Sequence, residues 1–112
     1  MNTINSYEEY MVNLAKPTVT FYYLYSKTDS FSNSGKTLLD QFIVGYSGAE
    51  FYAIESSEHP DIAKKLMILG SPSIWFGRNG VKGPTTRFAA TNPQIILTKV
   101  ASEFSRRGII KN

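Results

Sequence analysis

Ser6-Tyr7-Glu8-Glu9 has the form of a capping box, and Tyr7, Tyr10, Met11 and Leu14 follow at the three-and-four spacing of one helical face. A helix ending before Pro17 is predicted. Val19 to Tyr25 is β-branched and aromatic at both parities, the pattern of a central strand covered on both faces. The polar stretch Lys27 to Ser34 supplies Ser32 or Ser34 as a cap for a second helix, whose apolar stripe is Leu38, Leu39, Phe42 and Ile43. Gly45 to Gly48 interrupts that pattern. Phe51-Tyr52-Ala53-Ile54, enclosed by Glu50 and Glu55, then reads as a second buried strand, parallel to the first because a helix connects them.

Pro60 suits the first turn of a third helix carrying Ile62, Ala63 and Leu66 inward, and Gly70 closes that segment before Pro72. Ser73 to Phe76 follows as a strand. Asn79-Gly80 favours a tight reversal, with Thr85 to Ala89 returning antiparallel beside it. Thr91-Asn92-Pro93-Gln94 opens a last helix with Ile96, Val100 and Phe104 inward, stopped by Arg106-Arg107-Gly108. The order of elements is helix, strand, helix, strand, helix, strand, strand, helix. An α/β sandwich of three layers is expected, with one mixed four-stranded sheet between helices.

Length and composition fit this picture: 112 residues with 42% hydrophobic and 13% aromatic content suffice for one domain, residues 1–112 with a core of about 6–107. The formal net charge of +3 comes from twelve basic and nine acidic residues, which read as spread along the chain. Lys64-Lys65 and Arg106-Arg107 are adjacent pairs, explained as a solvated helical face and as cations at a helix C-terminus. Nucleic-acid binding is therefore not expected. Met1 to Asn5 carries no basic region and no apolar run reaches membrane-spanning length, so a cytoplasmic protein without membrane contact is expected. With no cysteine and His59 as the single imidazole, no metal site and no cofactor are expected. Trp75 and Phe76 read as core, and His59 as a turn residue.

Pro60 and Pro72 stand twelve positions apart, and Gly80 follows eight later. This spacing, with the element order from about Ser6 to Phe104, resembles the thioredoxin family. The resemblance implies a thioredoxin-like fold with a cis Ser71-Pro72 bond, and Ser71 as the residue whose backbone pairs with an extended peptide. It matches the Cys-x-x-Cys tetrad to Asp29-Ser30-Phe31-Ser32, the buried acid that assists proton transfer to Tyr23, its lysine neighbour to Ala53, and the glycine beside the groove to Ala89.

Disulfide exchange needs a thiolate, and a serine hydroxyl cannot take its place, so an intrinsic oxidoreductase activity is excluded and no catalytic residue is assigned. Two enzymatic or ligand readings carry weaker signals. Ser30 to Thr37 is similar to a phosphate loop lacking its first glycine, with Glu55 as the acid that would hold magnesium. Tyr22, Tyr23 and Tyr25 offer hydroxyls that a glutathione-dependent enzyme would use. The leading expectation is a redox-inactive module that binds a protein or extended peptide. Its groove would comprise Thr28, Asp29, Ser30, Phe31, Ser32, Gly70, Ser71, Pro72, Ala89 and Ala90, with Phe31 as an exposed apolar contact. A structural subunit or homodimer using the same surface is the alternative.

Overall fold

The computed structural model describes residues 1–89 and 92–112. Its strands are β1 (Asn2–Thr3), β2 (Val19–Tyr25), β3 (Tyr46–Ser47), β4 (Ala49–Glu55), β5 (Ser73–Arg78), β6 (Val81–Lys82), β7 (Thr86–Arg87) and β8 (Ile110–Lys111). The helices are α1 (Tyr7–Leu14), α2 (Ser30–Phe42), α3 (Pro60–Lys65) and α4 (Gln94–Arg106). The central sheet has the order β1-β4-β2-β5-β6, with β7 also on β5. β1, β4 and β2 run parallel, and β5 lies antiparallel to β2, β6 and β7.

The two parities of β2 serve two cores. Phe21, Tyr23 and Tyr25 point with Ile74 and Phe76 toward Leu39 of α2 and Ile96, Val100 and Phe104 of α4. Tyr22 and Leu24 point with Tyr52, Ile54 and Trp75 toward Tyr10 and Leu14 of α1 and Ile62 of α3. A strand that is apolar on alternate residues of both phases must be covered twice, and the helices split accordingly. Trp75 is fully buried and its Nε1 donates to Tyr10 Oη at 3.0 Å, so burying the indole leaves no donor unpaired. The helix faces are narrower than their sequence stripes: Met11 is exposed, and Leu38, Phe42 and Ile43 are half-buried.

Three differences from the sequence expectation follow from local chemistry. Asn2–Thr3 forms an edge strand beside Tyr52 and Ala53, which puts Ile4 into the second core. Asn79 and Gly80 both have positive φ, 53° and 82°, so they close a two-residue hairpin in which Val81, not Thr85, begins the return. The chain leaves the sheet at Gly83 and rejoins it only at Thr86–Arg87. Beyond α4, β8 pairs with β3, a small second sheet with no periodicity in the sequence to announce it. The central sheet thus has six strands where four were expected, the additions being two residues long.

A candidate peptide groove beside Pro72

β2 and β4 are parallel, and the crevice beyond the carboxyl ends of parallel strands is where loops converge in open α/β sheets. Here the converging pieces are the loop from Ser26 to Asp29, the N-terminus of α2, the turn after Glu55, and Gly70-Ser71-Pro72. The Ser71–Pro72 peptide bond is cis. Pro72 is buried and its carbonyl accepts from Phe88 N at 3.0 Å, which ties this loop to the segment after β7. Ser73 Oγ donates to Gly70 O at 2.6 Å and closes the loop from inside.

Asp29, rather than Ser32 or Ser34, caps α2: its carboxylate accepts from Ser32 N at 3.1 Å. A carboxylate at a helix N-terminus is favoured by the unpaired amides and the dipole there. Ser32 is fully buried, accepting from Ser26 N at 3.0 Å and reaching Ser26 O at 3.2 Å and Asp29 O at 3.3 Å. Its own carbonyl accepts from Tyr23 Oη at 2.7 Å. Burial pushes the Tyr23 phenol pKa up, and the charge of Asp29 adds to that. Thr28 is exposed and its hydroxyl bonds Ser26 Oγ at 2.8 Å. Asp29 and Ser32, the outer two positions matched to the redox tetrad, therefore join Ser26 and Tyr23 in a closed network of hydroxyls and a capping acid.

The expected groove residues sort into groups. Thr28, Asp29 and Ser30 lie on one lip, at the start of α2, while Gly70 and Ser71 are half-buried and Ala89 is exposed. Ala90 lies outside the described residues. Ser32 points inward and presents no side chain to a ligand. Phe31, expected as an exposed contact, is half-buried and packs on the α2–α4 core, because the first turn of α2 rotates it toward the sheet.

The apolar surface lies on the other lip. Met67 and Leu69 are 85% and 92% exposed, immediately before Gly70. Ile68 between them is half-buried against the second core, and its N–H donates to Ala63 O at 2.9 Å. Met67 has φ of 57°, so the chain turns sharply after α3. Arg87 covers the loop from the same side: a Cβ on Gly70 would fall 2.8 Å from Arg87 Nε. A hollow of about 230 Å³ between Leu24, Pro60, Ile68, Leu69 and Ser71 runs under this lip. The run Met67-Ile68-Leu69 was the available signal in the sequence; an apolar triplet between a short helix and a Gly-Ser-Pro turn has too little periodicity to show which members face out.

The residues of the two competing readings are largely engaged within the fold. Ser30 to Thr37 is helical from its first residue, so no loop of amides is free to wrap a phosphate. Gly35 sits buried where a Cβ would be 2.4 Å from Tyr23 Oη, and Lys36 pairs with Asp40 at 2.7 Å. Glu55 is occupied by Ser57, whose N–H donates at 2.6 Å. Burial pushes the Glu55 carboxyl up, yet the Ser57 hydrogen bonds outweigh this and hold it below its ordinary range. Tyr22 and Tyr23 are fully buried, and burial raises both phenol pKa values, while Tyr25 is nearly buried and stacks on Tyr23. Among the described residues no group of three or more His, Asp or Glu side chains could hold a metal. No helix among them is long and apolar enough to cross a membrane.

Helices on both faces of a mixed sheet, with β2 and β4 parallel and β5 antiparallel, define the thioredoxin fold. Thioredoxins of known structure share it: that of Plasmodium falciparum superposes with a TM-score of 0.77 at 13% identity, over 91% of this chain and 98% of its own. Mitochondrial thioredoxin 3 of Saccharomyces cerevisiae gives 0.73 at 17%, over 91% and 94%. In sequence the chain is similar to thioredoxin-2 of Saccharomyces cerevisiae, 31% identical over 65 residues. That match spans 58% of this chain and 61% of that protein. No family model matches the chain. The protein is thioredoxin-like in fold and contains no cysteine.

Proposed function

We propose that this is a redox-inactive thioredoxin-like module that binds an extended peptide or protein segment along Gly70-Ser71-Pro72. The observation that carries the reading is the lip itself. Two large apolar side chains, Met67 and Leu69, stand almost fully in water beside a loop held in place from both sides. Among the described residues the backbone N–H and C=O of Ser71 have no hydrogen-bond partner, so the loop offers main-chain pairing next to apolar contact. The absence of a thiol supports binding without exchange chemistry: a partner would be held and released unchanged. A homodimer through the same lip is the competing use of that surface.

Selection of peptides from a displayed random library tests the reading. Peptides enriched on the wild type are expected to bind Leu69→Ser and Ser71→Pro at least about tenfold more weakly, as loss of a central apolar or main-chain contact does. Equal affinity for these variants, or no enrichment, contradicts the proposal. Sedimentation of the free protein at rising concentration reads out the homodimer separately.

A further inference from the structure

The charge of the chain is divided along its length. Residues 1–61 carry three basic and eight acidic side chains, whereas residues 62–112 carry nine basic and one acidic. That single acid, Glu103, is only 7% exposed on the last turns of α4. It is shared by Lys99 at 3.1 Å, Arg106 at 2.9 Å and Arg107. Three cations on one carboxylate leave a positive excess, and Arg78 of the β5–β6 hairpin adds to it, whereas Lys82 points to the opposite sheet face, over Trp75.

The hairpin extends past the end of α4. Arg78 pairs with Val81, and the pairing of Gly77 with Lys82 places Gly83 opposite Phe76, so these side chains share the sheet face on which α2 and α4 pack. Because α4 stops at Arg106, that corner of the face has no helix over it. A hollow of about 350 Å³ lies there between Val19, Phe76, Arg78, Val81 and Arg107. A second, of about 100 Å³, continues past Arg107 toward Pro84 and Arg106. Arg107 is fixed between them, its guanidinium 3.9 Å from the Phe76 ring and its other side on Glu103. Arg78 Nε donates to Pro17 O at 2.7 Å, and its terminal amino groups have no partner among the described residues. Val81 is 69% exposed on the floor.

We propose that this corner is a second docking site, for an acidic peptide segment bearing aliphatic side chains: its carboxylates meet Arg78, Arg106 and Arg107, and an aliphatic side chain meets Val19 and Val81. Charge complementarity selects an anion, since guanidinium forks match carboxylate geometry. The aliphatic floor selects against a bare inorganic anion. Nucleic acid is disfavoured because no ring is presented for base stacking: Phe76 lies beneath Arg107, and Trp75 is buried from the other face. Pro72 and this corner lie at opposite ends of β5, roughly 17 Å apart by strand rise, so the two sites are distinct.

The test is an anisotropy titration with a labelled short peptide of alternating glutamate and leucine, all variants first shown to melt as the wild type does. Wild type is expected to bind, Arg78→Glu with Arg106→Glu to weaken binding at least about tenfold, and Val81→Ser roughly threefold. Lys64→Glu with Lys65→Glu, the same change of charge elsewhere, should bind within about twofold of wild type. Equal loss in that control, or no binding by the wild type, overturns the proposal. Unaltered affinity in Val81→Ser removes the aliphatic half and overturns it as stated. Tighter binding of single-stranded oligonucleotide than of the peptide, through the same arginines, replaces the peptide with nucleic acid.

Discussion

The two ends of β5 solve opposite problems. At the Pro72 end, Ser26, Ser32, Asp29 and Tyr23 bond among themselves, and one lip faces solvent with the apolar side chains of Met67 and Leu69. At the Arg78 end the apolar floor is modest and the polar groups are left over, with several cations around one nearly buried carboxylate. The first end is a network that holds a loop; the second is a charged corner that holds little of the fold. Removing a residue from the first should therefore disturb stability, and from the second mainly binding.

The largest expected effect is at Gly35, where an added Cβ meets Tyr23 Oη at 2.4 Å and Ile96 Cδ1 at 2.7 Å. Since Tyr23 is fixed by its bond to Ser32, Gly35→Ala should destabilise by about 1–3 kcal/mol in urea unfolding. Ser32→Ala comes next: it removes the acceptor of the buried Ser26 N–H, and a loss of about 1–2 kcal/mol is expected. Glu103→Gln is smaller, about 1 kcal/mol, because its cationic partners reach it from positions open to water. The Arg78→Glu, Arg106→Glu pair should change stability by under about 0.5 kcal/mol, and a larger loss would erase the contrast between the ends.

Acid sharpens the same contrast. The hydrogen bond from Arg107 chiefly holds Glu103 below the usual carboxylate range, although burial opposes it, and the bond from Lys16 does the same for Glu50. A carboxyl whose folded pKa is depressed contributes stability that is complete above its unfolded value, about 4.3 for Glu, and that is lost as pH falls through the folded value. Melting temperature should thus be flat near neutrality and fall below about pH 4, with Glu103→Gln showing a shallower acid slope than wild type.

Much of the fold was legible because its signals were redundant. β2 announced double coverage through both parities, and α4 through Ile96, Val100 and Phe104. The short strands were hidden, since two residues carry no period. The loops of the candidate groove were legible, but not the side chains they present. The resemblance located Asp29 to Ser32 and Ser71-Pro72, yet the exposed apolar side chains proved to be Met67 and Leu69 rather than Phe31. Whether Phe31 faces out depends on the helical phase of α2, which is set by Asp29 as cap, whereas Ser32 or Ser34 had been the expected caps. The charged corner escaped sequence reading because Val19 of β2, Arg78 of β5 and Val81 of β6 meet Arg107, just after α4, only on folding.

Peptide binding at Pro72 can be read residue by residue from amide chemical-shift mapping with a library-selected peptide. Leu69, Gly70, Ser71 and Ser73 are expected to shift while Arg78 to Val81 stay still. Shifts confined to the hairpin, or none at Leu69 to Ser73, would contradict it.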